Sequence, residues 1–495
     1  MQNLSPPNFS EVLSEGNLDV PFALSDLLEG RGPDLQVEGI NADSRAIAPG
    51  EAFFALPGTQ VHGEGFARQA VERGAAVMIT DRSPPEAPGV PVVIVDDVRL
   101  AYARAAARQF APQPEAAVAV TGTNGKSSIV SFVRQIWSAG GLRAASLGTV
   151  GVETEAGISP RQLTTPDALS LHRDLGALKA QGISHVAVEA SSQGLDQRRL
   201  DGMRFDAVAF TNLTQDHLEY HGGIDNYREA KLRLFRDLLG DGGAAVINCD
   251  DPEHMPFLFA ALDRGATLLT VGEEGAFFEI TEIRNEGFGQ RVEGRLVGEP
   301  ASFHLPLTGA FQASNALVAL GLAVGTGADK EQALAALERL RGARGRLELV
   351  GQREDSAVFV DYAHSPDALQ SALAALRPYA RRRLTVVFGC GGDRDRAKRP
   401  VMGRIAGELA DRVIVTDDNP RTEDAAAIRA EILTAVGSAE EIGDRREAIA
   451  AAIKEMGPGD VVLIAGKGHE DYQIVGTTRH HFSDHEIVAE TLKEL

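Results

Sequence analysis

Short apolar runs alternate along the chain with amphipathic stretches of helical period. The runs AAVAVT, HVAVEAS and FDAVAFTNL lie in the first half, and AVFVDYAH, LTVVFGC, RVIVT and DVVLIAG lie in the second. A continuous apolar run of this length is typical of a parallel strand that is buried on both faces of a sheet. Because helical patterns separate the runs, the sequence predicts βα units, parallel sheets and an α/β fold class.

The same pattern divides the chain into three predicted domains, as expected for 495 residues at roughly 150 residues per domain. The first, residues 1–113, carries the shorter strand patterns AAVMIT and VPVVIVDD and ends at the proline-rich connection APQPE. The second, residues 114–341, opens with AAVAVTGTNGKSS. The third, residues 342–495, begins near RGARGRLE and contains four of the apolar runs.

Composition narrows the classes of partner. The chain has 70 acidic and 49 basic residues and a formal charge of −21, which argues against nonspecific binding to nucleic acid or to an anionic membrane. Its two cysteines, Cys249 and Cys390, exclude a disulfide framework and fit a reducing compartment. The sequence has no apolar run of membrane-spanning length and no signal-peptide pattern, so we expect a cytoplasmic protein without membrane insertion.

The turn TGTNGKSS lies between a predicted strand and a predicted helix, as a phosphate-binding loop does. Val120 occupies the first glycine position of the strict G-x-x-x-x-G-K-[ST] pattern, and Gly122, Gly125, Lys126 and Ser127 remain. Glycines let backbone N–H groups surround phosphate oxygens, and the helix N-terminus favours negative charge. The alternative is an ordinary glycine turn with a solvated lysine, but the flanking strand and helix favour ATP.

Three further residues near strand ends are candidates for a magnesium site: Glu189, His217 and Lys231. Mg²⁺ prefers oxygen ligands and usually retains waters and phosphate oxygens, which suits Glu189 together with Ser127. Glu189 alone is equally explained as a hydrogen-bonded acid, and His217 alone as a packing or surface histidine. An unmodified Lys231 cannot bind a metal, because an ammonium has no lone pair.

The segment NYREAKLRLF predicts a helix on which Tyr227, Lys231, Leu234 and Phe235 share one face. A lysine on a face that should be buried needs an explanation. The ordinary one is that its stem packs while its ammonium reaches water.

Ten blocks in order carry a resemblance to a known family: TGTNGKSS, EASSQGLDQRRL, FTNLTQDHLEYHG, YREAKLRLF, LTGAFQASNALVAL, GRLE, VDYAHSPDAL, GCGGDRDRAKRP, DDNPRTED and AGKGHEDYQ. The chain resembles the Mur ligases of bacterial peptidoglycan synthesis, which serve cell wall biogenesis, cell shape and cell division, over roughly residues 41–470. The resemblance implies an N-terminal UDP-binding domain, a central P-loop ATPase domain with a parallel sheet and a C-terminal Rossmann-like domain for the incoming amino acid.

The resemblance also implies a reaction. ATP phosphorylates the γ-carboxylate of D-glutamate in UDP-N-acetylmuramoyl-L-Ala-D-Glu, and an amino acid's amine displaces phosphate from the acyl phosphate. A carboxylate is a poor electrophile until phosphorylation supplies a leaving group, and Lys126 with Mg²⁺ would offset the charge of the transferring phosphoryl group. We expect a monomer.

The resemblance assigns roles residue by residue. It implies catalytic roles for Lys126, Glu189, His217 and Lys231, with Mg²⁺ bound by Ser127, Glu189, His217 and a CO₂-derived carbamate on Lys231. It implies ATP contacts at Gly122, Thr123, Asn124, Gly125, Lys126, Ser127, Ser128, Asn315, Arg346 and Asp361. It implies UDP-substrate contacts at Ser44, Thr164, Thr165, Ser191, Gln197 and Arg199. Two positions depart from the family: Ser127-Ser128 replaces the usual Thr-Thr, and Gln193 replaces a usual histidine.

The segment DDNPRTED bears on which amino acid is added. By itself, Asp-Asn-Pro-Arg is well explained as a turn that caps the next helix. In the family it marks enzymes that add meso-2,6-diaminopimelate, which implies binding by Arg394, Asp418, Asn419, Pro420, Arg421, Gly466 and Glu470. Arginine binds a carboxylate with paired hydrogen bonds, so Arg394 and Arg421 suit the distal carboxylate that lysine lacks. Glu470 and the Gly466 backbone suit the distal ammonium, and we expect lysine to be a very poor substrate.

Two alternatives remain at this stage. One is another ligase of the superfamily, such as a lysine-adding enzyme, a D-Ala-D-Ala-adding enzyme or a folylpolyglutamate synthetase, against which DNPR and GKGHE argue. The other is a regulatory or mechanical P-loop protein without ligase chemistry. Such a protein would not need Glu189, His217 and Lys231 together, nor a third domain with polar strand ends.

Overall fold

The computed structural model describes residues 21–58, 61–161, 163–214, 216 and 218–495. The chain forms two compact units. Unit 1 comprises Met1–Glu279, Leu296–Gly298 and Leu317–Leu334, and unit 2 comprises Ile280–Arg295, Glu299–Ala316 and Ala335–Leu495. Both units are α/β, which confirms the predicted fold class. The boundaries of the three predicted domains stay a prediction.

The first part of unit 1 is a small parallel sheet with short helices. Its strands are β1 (Phe22–Ala23), β2 (Gln36–Val37), β3 (Ile40–Asn41), β4 (Ala52–Phe54), β5 (Val77–Thr80) and β6 (Val92–Ile94), and its helices are α1 (Leu24–Leu27), α2 (Ala67–Glu72) and α3 (Val98–Gln109). Strands β3 to β6 form the parallel sheet and pair in sequence order, whereas β1 and β2 form a separate antiparallel pair. The Asp97 side chain caps α3 by accepting from the Leu100 N–H at 2.9 Å.

The second part of unit 1 is built on a larger sheet. Its strands are β7 (Ala116–Thr121), β8 (Ala144–Gly148), β9 (Gly151–Thr154), β10 (Gly157–Ser159), β11 (His185–Glu189), β12 (Phe205–Phe210), β13 (Leu239–Asn248), β14 (Thr267–Gly272) and the start of β15 (Phe278–Glu286). Their spatial order is β10-β9-β8-β11-β7-β12-β13-β14-β15. All pairs from β8 to β15 are parallel, so the carboxyl ends of β7, β11 and β12 lie at one edge.

Six helices accompany this sheet: α4 (Lys126–Ala139), α5 (Ala168–Ala180), α6 (Ser192–Asp196), α7 (Leu218–His221), α8 (Ile224–Arg233) and α9 (His254–Asp263). After α8 the chain continues as a single π-helical segment, Leu234–Leu238. The core between helices and sheet is apolar and fully buried, and Phe210 stacks on Phe257 with ring centroids 3.8 Å apart.

Unit 2 contains a second sheet of mostly parallel strands. The strands whose ranges lie largely in unit 2 are β16 (Gly289–Leu296), β17 (Glu299–Leu305), β18 (Glu348–Arg353), β19 (Ser356–Asp361), β20 (Leu384–Phe388), β21 (Arg412–Val415), β22 (Glu440–Glu441), β23 (Val461–Ala465), β24 (Tyr472–Val475) and β25 (Thr478–His481). Strands β16 and β17 do not belong to this second sheet. The sheet order is β18-β19-β23-β20-β21-β22, and only β18 runs antiparallel to its neighbour. Strands β24 and β25 form a separate hairpin.

The remaining helices are α10 (Ala310–Gly325), α11 (Lys330–Ala336), α12 (Pro366–Leu376), α13 (Lys398–Leu409), α14 (Ala425–Leu433), α15 (Arg445–Lys454) and α16 (Asp484–Lys493). Buried apolar residues cover both faces of the six-stranded sheet, which explains why its strands read as continuous apolar runs. Within the described ranges, no helix is long and apolar enough to cross a membrane.

Candidate active site

The phosphate loop, residues 122–128, joins β7 to α4 in unit 1 as predicted. Gly122 has φ 146° and Gly125 has φ 87°, and both values favour glycine. A Cβ on Gly122 would lie 1.8 Å from Thr211 Oγ1, so the loop also needs glycine there for close approach. Ser127 and Ser128 are buried in the first turn of α4.

The residues after β12 hold this loop in place from one side. Asn212 O accepts from the Thr123 N–H at 2.9 Å, and Asn212 Oδ1 accepts from the Asn124 N–H at 2.9 Å. Thr211 Oγ1 donates to Asn124 O at 2.7 Å. The loop conformation is therefore set by a neighbouring strand end as well as by its own glycines.

Two lysine side chains converge on one carbonyl of the loop. Lys126 Nζ donates to Gly122 O at 2.9 Å and to Thr123 O at 2.7 Å. Lys231 Nζ donates to the same Gly122 oxygen at 2.8 Å. The prediction that Lys231 shares a buried helix face with Tyr227 is confirmed, because each is only 1% exposed.

The environment of Lys231 disfavours its protonated form. Burial lowers the pKa of its ammonium well below the usual range, and the charge of Lys126 lowers this pKa further, while Asp216 opposes the shift. The Tyr227 ring, whose centroid is 4.3 Å from Nζ, offsets part of the burial cost. The ammonium does not reach water, so the ordinary explanation of this lysine is wrong.

Glu189 ends β11 and is 1% exposed. Its Oε1 accepts from the Thr149 N–H at 2.8 Å, and its Oε2 accepts from Thr149 Oγ1 at 3.3 Å. Gly148 makes room for this carboxylate, since a Cβ there would lie 2.0 Å from Oε1. Both of these donors are neutral groups of Thr149. His217, the other predicted ligand, lies outside the described residues.

The UDP-substrate candidates of the central part form one network. Thr165 Oγ1 donates to Glu189 O at 2.7 Å and accepts from Ser191 Oγ at 3.0 Å. Arg199 Nη1 donates to Thr165 O at 2.7 Å, and its Nη2 donates to Gln197 Oε1 at 2.8 Å. Thr165 thus bonds directly to the end of the strand that carries Glu189, and the other three predicted residues are linked to it through this network.

The other two UDP candidates lie in different surroundings. Thr164 Oγ1 is 3.0 Å from Thr149 Oγ1, which ties it to the Glu189 cluster. Ser44 lines a cavity of about 710 Å³ whose wall also includes Gln69, Tyr102 and Arg173. Ser44 Oγ donates to Gln69 Oε1 at 2.7 Å. The volume is suitable for part of a nucleotide-sized ligand.

The remaining ATP candidates belong to unit 2. Asp361, at the end of β19, accepts from the Leu347 N–H at 2.6 Å and from the Ala363 N–H at 2.8 Å. Burial raises the pKa of its carboxyl, and the nearby Arg346 charge opposes that shift. The Arg346 guanidinium lies 4.9 Å from the Tyr362 ring centroid.

Asn315, in α10, is buried, and its Nδ2 donates to Gln312 Oε1 at 3.1 Å. Asn315 lies in unit 2, whereas the phosphate loop lies in unit 1, so its role in binding ATP stays a prediction. The ATP candidates of each unit are in contact with neighbouring residues. In unit 2, Asn315 and Asp361 are held by hydrogen bonds, and Arg346 lies against the Tyr362 ring.

The diaminopimelate candidates form a compact cluster in unit 2. Asn419 Nδ2 donates to Glu470 Oε2 at 2.9 Å. Arg421 has φ 50°, and its Nη1 donates to Gly392 O at 2.8 Å. Pro420 lies between Asn419 and Arg421 in the sequence. Arg394 is exposed and its Nη1 donates to Asp393 O at 3.2 Å.

Asp418 and Gly466 lie against each other in this cluster. A Cβ on Gly466, whose φ is 115°, would lie 2.7 Å from Asp418 Oδ2. That oxygen is buried and has no hydrogen-bond partner within the described part of the chain. An unsatisfied buried carboxylate oxygen is costly unless a ligand supplies a donor.

Comparison with known proteins gives the family. A model described as "Mur ligase middle domain" matches residues 120–323, "Mur ligase, glutamate ligase domain" matches residues 345–468, and "Mur ligase family, catalytic domain" matches residues 36–110. The UDP-N-acetylmuramoyl-L-alanyl-D-glutamate–2,6-diaminopimelate ligase of Mesorhizobium japonicum is 51% identical over 463 residues, which is 93% of this chain and 96% of the relative. The chain belongs to the Mur ligase family.

Solved structures agree with this assignment. The structure of a UDP-N-acetylmuramoyl-L-alanyl-D-glutamate–2,6-diaminopimelate ligase has a TM-score of 0.72 and 33% identity, and the match covers 96% of this chain and 99% of that one. The MurF ligase of Thermotoga maritima in complex with ADP has a TM-score of 0.56 at 19% identity, covering 92% of this chain and 97% of that one, which supports the fold alone. Mur ligases are ATP-dependent enzymes.

Several residues that shape this Mur ligase site were missed by sequence reasoning. Thr149 holds Glu189, Asn212 holds the phosphate loop, and Lys467 contacts both Asn419 and Glu470. Asn212 lies inside the block FTNLTQDHLEYHG, and Lys467 lies inside the block AGKGHEDYQ. The motifs therefore included both residues but did not indicate what they contact. Thr149 lies in no block, and no sequence signal indicated it.

Proposed function

We propose that this Mur ligase joins meso-2,6-diaminopimelate to the D-glutamate γ-carboxylate of UDP-N-acetylmuramoyl-L-Ala-D-Glu at the cost of ATP. The observation that carries this proposal is the cluster of Asp418, Asn419, Arg421 and Glu470, in which acids and an arginine adjoin at one edge of the unit 2 sheet. Such a set suits a ligand end with both an ammonium and a carboxylate. The names of the relatives above also support it.

The reaction transfers the γ-phosphoryl group of ATP to a carboxylate oxygen and releases ADP. The amine of the amino acid then attacks the acyl carbon, the carbon–oxygen bond to phosphate breaks, and the nitrogen loses a proton. The loop N–H groups, the α4 N-terminus and Lys126 are suited to bind the phosphates. Binding the nucleotide would draw Lys126 Nζ away from its present carbonyl acceptors.

The residues near the loop fit Mg²⁺ and a modified lysine. Lys231 is buried with its amine biased towards the neutral form, which is the form that reacts with CO₂ to give a carbamate. Ser127, Glu189, His217 and the Lys231 carbamate would hold the metal. Bound Mg²⁺ would neutralise charge on the phosphate oxygens. Carbamylation would replace an ammonium, which cannot bind a metal, with a group that offers oxygen ligands. It would also explain why a lysine is buried at position 231.

The acceptor substrate would extend from the Ser44 cavity to the Thr165 network, both in unit 1. Thr164, Thr165, Ser191, Gln197 and Arg199 offer hydroxyl, amide and guanidinium groups suited to an anionic muramoyl peptide. Because the chain carries a charge of −21, such local groups must supply the attraction.

At the amino-acid site, Arg421 and Arg394 would bind the distal carboxylate. The buried, unsatisfied Asp418 Oδ2 and Glu470 would accept from the distal ammonium. Lysine lacks the distal carboxylate and would leave the two arginines without a charged partner from the ligand, which disfavours it.

Phosphate release from ATP tests the proposal. We expect release to require UDP-N-acetylmuramoyl-L-Ala-D-Glu and meso-diaminopimelate together, with ATP and Mg²⁺ present throughout. Release that is indifferent to both substrates would contradict the ligase proposal and favour a regulatory P-loop protein. Release that needs the UDP substrate but accepts D-Ala-D-Ala or glutamate would contradict the choice of amino acid.

A further inference from the structure

Lys467 is a fully buried lysine between two glycines with left-handed backbone. Its side chain is 0% exposed, Gly466 has φ 115° and Gly468 has φ 51°. The Gly466 N–H donates to Asp361 O at 3.1 Å, and the Glu470 N–H donates to Lys467 O at 2.9 Å. The chain therefore turns on both sides of Lys467 and directs this side chain into the protein.

The Lys467 ammonium closes a triangle with two residues of the proposed amino-acid site. Its Nζ donates to Asn419 Oδ1 at 3.0 Å and lies 3.4 Å from Glu470 Oε2. The third side is the bond from Asn419 Nδ2 to Glu470 Oε2 at 2.9 Å. The triangle fixes which way the Asn419 amide faces and which Glu470 oxygen is used internally.

The β24–β25 hairpin completes the arrangement from the other side. The Ile474 N–H donates to Asn419 Oδ1 at 3.0 Å, and Gln473 Nε2 donates to Asp418 O at 2.7 Å. The Arg421 N–H donates to Ile474 O at 3.0 Å. The loop of residues 418–421 is thus held to the hairpin by one backbone–backbone bond and by two bonds between a side chain and a backbone atom. The Glu470 carboxylate depends on side-chain contacts that include Lys467.

This difference separates two possible roles of Lys467. A buried ammonium is costly unless it is paired, so a role in fold stability alone is conceivable. However, the loop keeps its hairpin bonds without Lys467, and the Asn419 amide keeps the Ile474 N–H. What loses its charged partner is the Glu470 carboxylate, which keeps the neutral Asn419 Nδ2 donor and is only 14% exposed.

We propose that Lys467 is a positioning residue that holds Glu470 and Asn419 in the geometry that binds the distal ammonium of diaminopimelate. It also neutralises Glu470 from inside, so that the carboxylate is not drawn towards Arg421. The inference rests on the proposed function, because it concerns the same substrate. Lys467 acts through Glu470 and Asn419 and makes no contact with the reacting atoms.

Lys467→Met, which keeps the length of the side chain and removes its charge, tests this role in the full-length enzyme. We expect the KM for meso-diaminopimelate to rise roughly ten- to hundredfold, as for loss of a buried charged hydrogen bond. The KM values for ATP and for UDP-N-acetylmuramoyl-L-Ala-D-Glu should stay within about threefold, as expected for contacts that the change does not touch. Lys454→Met is the matched control, because Lys454 is a half-exposed lysine of unit 2 paired with Glu494.

A double-mutant cycle with Glu470→Gln distinguishes positioning from independent binding. If Lys467 acts through Glu470, the double variant should have about the same diaminopimelate KM as Glu470→Gln alone. Should Lys467→Met fail to fold, Lys467→Gln retains a donor for the same acceptors and takes its place in the cycle. Thermal unfolding of each variant is measured alongside.

The outcomes are separable. An unchanged diaminopimelate KM, equal rises in all three KM values, or fully additive effects in the cycle would overturn the role of Lys467. A wild-type enzyme that releases phosphate without diaminopimelate would instead overturn the proposed function itself. A selective rise in one KM that disappears in the Glu470→Gln background supports the inference.

Discussion

The phosphate loop in unit 1 and the amino-acid cluster in unit 2 are built in different ways. The phosphate loop presents backbone, and its shape depends on Gly122, Gly125 and backbone bonds to the 211–214 segment. The amino-acid cluster presents side chains, and its shape depends on a network among Asn419, Lys467 and Glu470.

The difference agrees with the ligands proposed for the two regions. Every nucleoside triphosphate offers the same phosphate oxygens, so a fixed set of backbone N–H groups can bind any of them. An amino acid must be told apart from close relatives, which needs charges at set positions that a wrong ligand leaves unpaired. We therefore expect unit 1 to be sensitive to added bulk and unit 2 to altered charge.

The largest expected effect comes from Lys231→Ala. The variant should lose about a thousandfold or more in ligation, because it would lose the proposed metal-binding carbamate and with it stabilisation of charge in the transition state. A short carboxylic acid should restore part of the activity, and bicarbonate should raise the activity of wild type in CO₂-depleted buffer. Initial rates of product formation measure both effects.

The control is Lys330→Ala, since Lys330 is an exposed lysine of unit 1. Near-normal turnover of Lys231→Ala would show that the carbamate role is wrong. An equal rise in the activity of the control variant when the acid is added would show that the acid does not act at position 231.

The second prediction concerns bulk at the phosphate loop. Gly122→Ala should lower kcat/KM for ATP about a hundredfold, because its Cβ would lie 1.8 Å from Thr211 Oγ1 and the loop must move. Gly157→Ala is matched in backbone, with φ 137° and nothing within 4 Å of its Cβ. ATP kinetics that change equally in both variants would contradict the steric account.

The third prediction makes the same change in unit 2. Gly466→Ala should raise the diaminopimelate KM about tenfold, because its Cβ would displace Asp418 Oδ2, 2.7 Å away. The KM for ATP should be nearly unchanged. Gly287→Ala, at φ 63° in open space, is the control. A rise in the KM for ATP with an unchanged KM for diaminopimelate would contradict the proposal that the unit 2 cluster binds the amino acid.

The last prediction concerns the pH dependence of stability rather than substrate kinetics. Each unit has a histidine that burial makes hard to protonate. Burial lowers the pKa of His172 in unit 1 from 6.5 to about 4. Burial, with Arg346 and Arg344, does the same for His469 in unit 2. The unfolded chain binds the proton more readily, so stability falls as the pH drops from about 6.5 to about 4.

For the fully buried His172, this loss should reach up to about 3 kcal/mol in the free energy of unfolding. Denaturant titrations at several pH values measure it, and His172→Gln should flatten the pH dependence. His480→Gln, at an exposed position, should leave it unchanged. A wild-type stability that is flat over this range would contradict the shift.

Much of the fold was predictable because buried parallel strands are continuous apolar runs. The runs containing β7, β11, β12, β19, β20, β21 and β23 were each predicted within a few residues. The β15–β17 strands and the β24–β25 hairpin were not, since they are half exposed and mix polar with apolar residues. The π-helical turn after Arg233 also left no mark in the helical pattern of NYREAKLRLF.

For the site, the motifs predicted candidate residues but not the contacts that hold them. The glycines of TGTNGKSS imply a loop, whereas its bond to Asn212 comes from a residue just after β12, 88 positions further along the chain. Likewise, Lys467 and Asn419 are 48 residues apart. Such partners are set by tertiary packing, which no local pattern records.

The most direct test of the central claim is an amino-acid panel with ATP, Mg²⁺ and UDP-N-acetylmuramoyl-L-Ala-D-Glu, scored by product mass and by phosphate release. We predict one new amide product, with the mass of the meso-diaminopimelate adduct, formed with stoichiometric phosphate. L-lysine should give a kcat/KM lower by about a hundredfold or more. A comparable kcat/KM for L-lysine, or phosphate without any amide product, would contradict the account.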